Sequence, residues 1–448
     1  MLLPPVSPVA PQSAAARRLP VWFAAGLVLA TFEAEAAAAR PEVDARSHGA
    51  KGDGLADDTA ALQRALDGGN RTVVIPAGTY LIRTSLLLDS GTTVRAAKDA
   101  VIRLADGTGT GVDVFLISNR DRQAGNRDLV IEGGIWDGNN PGNRRGDPAK
   151  QLPCYTGVAM NFINVQGLIL RDLVIRNPES FAIRAIYLTD FRIEDIGFDF
   201  SALRPNQDGV HLNGFCERGV IRNLTALSPH ATNDDMVALN ADDGDPKAFA
   251  FMQDMVNGPI RDIRIENIHA PSAFSLIRLL SHQNPIENVT IDGVTGGARF
   301  YVLNMDRWRF PPGGGKIRNV TLRNFKVNKV FDNFSSQARA AQRPMVHIQT
   351  AVEDFRIEGF TRTAVDQPPA VTLLIDNGRI NRLRLEGLTA AQRDALLAAS
   401  PVVKADQFTA SGADTHALAF ESDAAVTLPT GGFTLLSIDS LPLAAAGK

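Results

Sequence analysis

The chain is poor in cysteine, in aromatic residues and in net charge. Only Cys154 and Cys216 occur among 448 residues, so a disulfide framework is excluded. The two could form one bridge, but two buried small apolar side chains are the simpler interpretation. A formal net charge of -3 argues against nucleic acid as a partner. Aromatic residues make up 6% of the chain, and its apolar residues are mostly Val, Ile, Leu and Ala, which favours many short strands.

Long apolar runs are also absent, except near the amino terminus. Arg17 and Arg18 precede an apolar stretch over residues 19–32, and small residues follow at 36–39. These features are typical of an export signal, with an uncleaved membrane anchor as the alternative. We therefore expect residues 1–39 to be a signal peptide and the mature protein to be secreted or periplasmic. Later stretches fall short of the roughly 18 consecutive apolar residues that span a bilayer, so we expect no membrane contact after signal removal.

Eight segments share an irregular repeat in which apolar and polar residues alternate and a polar pair follows. A unit of this size cannot bury its apolar side alone, so neighbouring units must stack on a shared core. The pattern predicts an all-β parallel β-helix over residues 43–400, with loops inserted at the corners of the coils. The central apolar residues of the eight units are Leu170, Ile193, Ile221, Ile265, Ile291, Leu322, Ile357 and Leu385.

The corners and the ends of the predicted solenoid have their own signals. Asn-x-Thr sequences at Asn223, Asn288 and Asn319 follow strands at one corner, where Asn tolerates a left-handed backbone, so we interpret them as turns. The stretch DDTAALQRALDGG, beginning at Asp57, predicts an amphipathic capping helix. Residues 401–448 lose the repeat, which predicts a C-terminal cap and tail.

Residues 43–88 carry GAKGDG, DDT and IPAGTY elements. This stretch resembles the opening of the pectate-lyase-like right-handed β-helix superfamily, and the repeat extends the resemblance to about residue 388. The resemblance implies a right-handed parallel β-helix with an N-terminal capping helix. Because the superfamily contains hydrolases, lyases, epimerase-like enzymes and non-catalytic viral adhesins, it implies only a general preference for carbohydrate.

Two acidic motifs, NQDGVHLNG and NDDMVALN, lie about one coil apart and each enters an apolar strand. Together they look like the motifs of polygalacturonase-type glycoside hydrolases, which invert anomeric configuration. By this resemblance, Asp234 is the general acid, and Asp208 and Asp235 activate the attacking water. Inversion ordinarily needs an acid and a base about 6.5–9.5 Å apart. Coils lie about 4.8 Å apart, so side chains of neighbouring coils can span that gap. No cofactor or metal is expected.

Six further residues are candidates for substrate binding: His211, Arg278, His282, Arg299, Tyr301 and Trp308. His211 could contact a sugar hydroxyl or tune a carboxylate. The Gly-His-Gly element of polygalacturonases is absent, and Arg278 or His282 is expected near its place. Arg299 matches the arginine of their Arg-Ile-Lys element, whereas Tyr301 replaces the lysine, so the sugar is not identified. Trp308 and Tyr301 could form a sugar-stacking wall.

We therefore interpret the chain as an exported glycoside hydrolase for a poly- or oligosaccharide, either pectin-like or another acidic or neutral glycan. One alternative is a polysaccharide lyase, with Arg278 as base and Ca²⁺ held by aspartates. Another is a non-catalytic glycan-binding solenoid. Asp242, Asp243 and Asp245 follow the second motif and are interpreted as solvated loop residues, with Ca²⁺ binding as the lesser alternative. The oligomeric state is not indicated.

Overall fold

The computed structural model describes residues 40–146, 155–243, 257–311, 314–331 and 343–363, together with strands between 373 and 436. The expected signal at 1–39, Cys154 and Asp245 lie outside the described residues, as does most of the expected C-terminal cap. In the part of the chain that the structure describes, no helix has the length and apolar character needed to cross a membrane.

Strands make up most of the described chain. A 3-10 helix spans Ala45–His48 and the helix α1 spans Thr59–Leu66. The strands are β1 Glu42–Asp44, β2 Asp53–Asp57, β3 Arg71–Ile75, β4 Gly78–Ile82, β5 Leu86–Leu88, β6 Thr92–Ala96, β7 Ala100–Leu104, β8 Ile117–Asn119, β9 Asn126–Glu132, β10 Ile135–Asp137, β11 Met160–Arg176, β12 Ile183–Asp199, β13 Val210–Asn213, β14 Cys216–Ala226, β15 Asp235–Asn240, β16 Ile260–Leu280, β17 Ile286–Met305, β18 Ile317–Lys329, β19 Val346–Ile348, β20 Ala351–Arg362, β21 Leu373–Asp376, β22 Arg379–Leu388, β23 His416–Phe420, β24 Val426–Thr427 and β25 Phe433–Leu436.

The coils stack by parallel pairing of equivalent strands, as the repeat predicts. Leu170 pairs in register with Ile193, and the same register continues through all eight aligned residues to Leu385. One apolar core fills the interior from Ala45 to Phe360. Crossovers between parallel strands of one sheet are right-handed. The fold is therefore a right-handed parallel β-helix, and the predicted fold class is confirmed.

Asparagine side chains form hydrogen-bonded ladders at two corners of the coil. Asn223 donates to Asp195 at 2.8 Å, while Asn319 donates to Asn288 at 2.8 Å on a separate ladder. All three asparagines of the Asn-x-Thr sequences have φ between 52° and 56°, which confirms their role as turn residues. The prediction of a single corner is wrong, because Asn223 follows its aligned apolar residue whereas Asn288 and Asn319 precede theirs.

The predicted helix near the amino terminus is present as α1. Its buried residues include Leu62, Ala65 and Leu66, and it packs beside β3 and β5. Asp58 holds the N-cap position, but Asp57 accepts the hydrogen bond from the backbone N–H of Thr59, at 3.0 Å. Both acidic residues therefore contribute to the start of the helix; its capping function stays a prediction.

One sheet of the solenoid carries a row of mostly polar side chains on its outer face. Val210 of β13 pairs with Val237 of β15, which pairs with Ile277 of β16, and all three belong to the core. Because strand side chains alternate, the next residue of each strand faces outward. Across the coils this outward row comprises Ser118, Asn161, Arg184, His211, Ala238, Arg278, Asn304 and His347.

Candidate active site

Three carboxylates converge on the outer face of this sheet. Asp208 lies just before β13, while Asp234 and Asp235 lie at the start of β15 on the next coil. One oxygen from each residue lies within 4.8 Å of the others. Asp208 and Asp235 are buried, whereas Asp234 is partly exposed. The structure thus brings together the three aspartates that the two motifs predicted.

The carboxylate oxygens of the trio lie closer together than the acid–base distance expected for inversion. The expected 6.5–9.5 Å gap between acid and base is not met by the nearest oxygens, which are within 4.8 Å. A water that makes two hydrogen bonds of about 2.8 Å at a tetrahedral angle bridges oxygens about 4.6 Å apart. The observed spacing therefore suits a water molecule held between two of the carboxylates.

The environment of the trio favours protonated carboxyl groups. Burial, followed by the charges of its neighbours, raises the pKa of Asp235 to about 7. The pKa of Asp234 is also raised, by burial and by the negative charge of Asp208. For Asp208, burial outweighs the opposing effect of His211 and raises the pKa to about 6. Since three adjacent carboxylates cannot all ionise readily, the trio retains a proton near neutral pH.

His211 bridges Asp208 to a fourth carboxylate. Its Nδ1 lies 2.6 Å from Oδ2 of Asp208, its Nε2 lies 3.0 Å from Oδ2 of Asp243, and its ring stacks on Phe181 at 4.0 Å. Burial alone would lower the pKa of His211, but the hydrogen bonds to both aspartates outweigh it and raise the pKa to about 9. Of the two roles predicted for His211, the structure shows the contact with a carboxylate.

Asp242 and Asp243 are buried, so their interpretation as solvated loop residues is wrong. Asp242 is 3% exposed and its Oδ2 accepts three backbone N–H bonds from residues 282–284, at 2.7 to 2.8 Å. Asp243 is 5% exposed, and burial is outweighed by His211, which lowers the pKa of Asp243. Asp-Asp-Gly is a common turn sequence, and alternation along β15 gives no signal for contacts made beyond its end.

Arg278 places a permanent positive charge beside the trio. Its Nη1 lies 3.7 Å from Oδ2 of Asp235, and its Nη2 lies 3.1 Å from Oδ1 of Asp306. Burial opposes the charged form, but Asp306 and Asp235 outweigh burial and raise the pKa of Arg278. The structure thus places Arg278, a predicted substrate-binding candidate, beside the aspartates. Asp306 was not identified, because it follows β17 in a loop without a motif.

Loop residues from earlier coils reach Asp234. Nδ2 of Asn206 lies 3.4 Å from Oδ2 of Asp234, and Nη2 of Arg145 lies 3.1 Å from Oδ1 of Asn206. Beside them, Nε of Arg204 donates to the fully buried Glu179 at 2.8 Å. Polar side chains from these loops therefore approach Asp234, the partly exposed member of the trio.

Arg299 and Tyr301, two of the remaining candidates, are buried. Arg299 is 2% exposed and donates to Oδ1 of Asn233, the residue before Asp234, at 2.7 Å. The hydroxyl of Tyr301 accepts from Arg343 at 2.9 Å, and its ring stacks on His347 at 5.2 Å. Arg299 therefore holds the bend that precedes Asp234, and Tyr301 packs against His347 of the outward row.

His282 and Trp308 form an aromatic group with Phe310. The rings of His282 and Phe310 stack at 4.5 Å, and Trp308 packs edge-on against Phe310 at 6.4 Å. The guanidinium of Arg309 lies over the Trp308 ring at 4.8 Å. Trp308 and Tyr301, the two residues of the expected wall, pack with different partners. Tyr301 stacks on His347, and Trp308 packs with Phe310. Their role in binding substrate stays a prediction.

The trio fits a divalent cation poorly. Three carboxylate oxygens within 4.8 Å could contribute ligands, but Ca²⁺ takes six to eight oxygens. The cations of Arg278 and His211 already lie against Asp235 and Asp208 and would oppose a metal ion. Oδ1 of Asp208 is buried and has no hydrogen-bond partner among the described residues, which leaves it available to water or to a substrate hydroxyl.

Part of the chain is similar to a known protein family. Residues 43–135 match the family described as "Rhamnogalacturonase A/epimerase, pectate lyase-like". The match covers about a fifth of the chain and agrees with the resemblance of its opening motifs. Together with the stacked coils, it supports a right-handed parallel β-helix with a pectate-lyase-like fold.

Individual relatives differ widely in what they do. The pre-neck appendage protein of Bacillus phage phi29 is 34% identical over 100 residues, which cover 22% of this chain and 11% of the phage protein. An exopolygalacturonase from Thermotoga maritima covers 77% of this chain and 90% of its own, at 14% identity and a TM-score of 0.48. The adhesin PfbA of Streptococcus pneumoniae has the same coverage and identity, with a TM-score of 0.49.

Proposed function

We propose that the chain is a glycoside hydrolase that cleaves a poly- or oligosaccharide outside the cytoplasm. The observation that supports this proposal is the convergence of Asp208, Asp234 and Asp235 within 4.8 Å, with the pKa of each carboxyl raised. Hydrolysis of a glycosidic bond needs one protonated and one ionised carboxyl group at the same place, and this arrangement supplies both.

The surroundings assign different roles to the three carboxyl groups. Asp234 is the most exposed of the three, and no charged group of the described residues lies at hydrogen-bond distance from it. It therefore stays protonated and donates to the leaving oxygen. Asp208 lies against the imidazolium of His211 at 2.6 Å, which favours its ionised form. Together with Asp235 beside Arg278, it orients and deprotonates the attacking water. Attack from the side opposite the leaving group inverts the anomeric configuration.

The test is release of reducing ends from a panel of acidic and neutral polysaccharides. Asp234→Asn should lower the rate by about 10²-fold or more, because it removes general acid catalysis. A matched control is Asp172→Asn: Asp172 is exposed at a turn with φ of 56°, where Asn is equally suitable. Equal rates for the wild type and Asp234→Asn would contradict the assignment. The anomeric form of the first product, followed by NMR, decides between inversion and retention.

Two alternatives have distinct outcomes in the same experiment. A lyase would release an unsaturated product that absorbs in the ultraviolet and would lose activity with a chelator, although the donor set fits Ca²⁺ poorly. The similarity to a phage pre-neck appendage protein, over 22% of this chain, supports a second candidate function, a non-catalytic solenoid. Failure to release sugar from every polysaccharide would support that candidate against hydrolysis.

A further inference from the structure

A second groove lies at a corner of the coil, away from the three aspartates. It has a volume of about 810 Å³, within the range of about 300–1,000 Å³ of ligand sites in proteins. Residues of five neighbouring strands and their turns contribute to it. Its lining includes Asn164, Tyr187, Thr189, Phe215, Glu217 and Arg261. We call it the corner groove.

Two aromatic residues at this groove occupy turn positions whose backbone conformation suits smaller residues better. Tyr187 and Phe215 have φ of 54° and 64°, in the left-handed region. Elsewhere in the described coils this conformation falls mainly on Asn, Asp and Gly, as at Asp195 and Asn223. Bulky side chains are genuine outliers in this region. An asparagine would form these turns with less strain. The strain therefore indicates that the aromatic side chains have a functional role at these positions.

The two rings form the apolar part of the groove. They stack at 4.9 Å with an angle of 15° between their planes. Phe215 is 39% exposed although it is a large apolar residue. The Phe215 ring also packs on Gly258, where a Cβ atom would lie 2.3 Å from the ring. The Phe215 ring therefore contacts both Tyr187 and Gly258 and stays partly exposed.

A row of polar side chains runs beside the rings, one from each successive coil. In register, the row comprises Arg127, Gln166, Thr189, Glu217 and Arg261. Coils repeat every 4.8 Å or so, which makes the row a regular series of donors and acceptors parallel to the solenoid axis. No ion-pair partner of Arg127 is seen in the described part of the chain, which leaves its exposed guanidinium available.

We propose that the corner groove binds a glycan chain, at a site separate from the aspartates. Aromatic rings beside amide, hydroxyl, carboxylate and guanidinium groups offer contacts for both the apolar and the hydroxyl-bearing parts of a sugar. Strand β13 connects the two sites: Phe215 follows Asp208 by seven residues, at most about 23 Å of extended chain. A glycan held in the groove is therefore kept near the carboxylates. This inference does not depend on hydrolysis.

The test is affinity gel electrophoresis with polygalacturonate, an acidic glycan, or galactomannan, a neutral one, cast in the gel. Every protein carries Asp234→Asn so that the glycan is not cleaved. We expect Phe215→Asn to weaken binding by about tenfold. Asn suits a left-handed turn, which partly offsets the lost ring packing, and the melting temperature checks that the variant is folded. Thr189→Val, which replaces a hydroxyl group with a methyl group of similar size, should weaken binding less. Leu55→Asn is the matched control for loss of an exposed apolar side chain, since Leu55 is 86% exposed.

The outcomes separate this inference from the proposed function. Retardation that Phe215→Asn abolishes and Leu55→Asn preserves supports the groove, whether or not the wild type releases reducing ends. Equal retardation of Phe215→Asn and the parent protein in both gels would overturn it, and so would the absence of retardation of the parent protein. A preference for one gel then identifies the glycan as acidic or neutral.

Discussion

Asp243→Asn removes one of the two carboxylates that hold the His211 imidazolium. In the native structure Oδ2 of Asp243 lies 3.0 Å from Nε2 of His211, and both residues are buried. A hydrogen bond to a charged group contributes roughly 1.5–3 kcal/mol. One pKa unit corresponds to about 1.4 kcal/mol, so its loss should lower the pKa of His211 by roughly 1 to 2 units.

The assay is a titration of the His211 imidazole by NMR between pH 5 and 10. The chain contains 7 histidines, and His211→Gln assigns the signal by its disappearance. The pKa of about 9 in the wild type should fall to roughly 7 to 8 in Asp243→Asn. With less positive charge beside it, Asp208 should hold its proton to higher pH, so the acid limb of the pH–rate profile should move upward.

Asp242→Asn is the matched control, because Asp242 is adjacent and buried but its hydrogen bonds go to the backbone of residues 282–284 and to the side chain of Asn284. It should leave the pKa of His211 within about half a unit of the native value. An unchanged pKa of His211 in Asp243→Asn would contradict this prediction, since it would mean that Asp208 alone sustains the imidazolium. A similar fall in both variants would mean that the effect is not specific to the bridge.

Three more predictions concern individual contacts of the structure. Replacing Arg278 with Met should reduce the free energy of unfolding by about 3–5 kcal/mol in urea at pH 8, since it leaves buried Asp235 uncompensated. The loss should be smaller at pH 5, below the pKa of about 7 of that carboxyl. Raising the pH from 6.5 to 9 should lower the melting temperature, because the stability from the raised pKa of His211 is present below 6.5 and lost as pH reaches about 9. Gly219→Ala should destabilise by roughly 1–3 kcal/mol in urea, because its Cβ would lie 2.0 Å from the Phe191 ring, whereas Gly111→Ala meets nothing closer than 3.8 Å. Unchanged stability in any of the three experiments would contradict the contact concerned.

The coil stacking could be predicted from sequence because each repeat carries its own register. Burial of one residue in two leaves a pattern that survives insertions, and Leu170 to Leu385 therefore align correctly across spacings that vary from 23 to 44 residues. The corner of a given asparagine was harder to predict. Turn propensity identifies Asn223 and Asn288 as left-handed residues but does not say on which side of the central strand residue the chain bends.

The residues of the candidate site also differ in whether sequence could predict them. Four charged residues could be predicted because each enters or interrupts an apolar strand, where charged side chains are unusual. They are Asp208, Asp234, Asp235 and Arg278. Asp243 and Asp306 follow strands in loops, where acidic residues are common and sequence gives no indication of what they approach. Burial of Asp243 depends on His211, which lies 32 positions away in the chain, so only the stacking of coils reveals it.

The last parallel coil has a consequence for association between copies. Strand β22 pairs in parallel with β20 on one side and with the antiparallel strands β23 and β24 on the other. An uncovered final coil would present a row of free N–H and C=O groups, ready to pair with a strand from another molecule. The change of strand direction ends the repeat, since the backbone beyond it no longer offers the parallel register that another coil needs. Growth of the stack into a filament is thereby opposed by the chain's own strands.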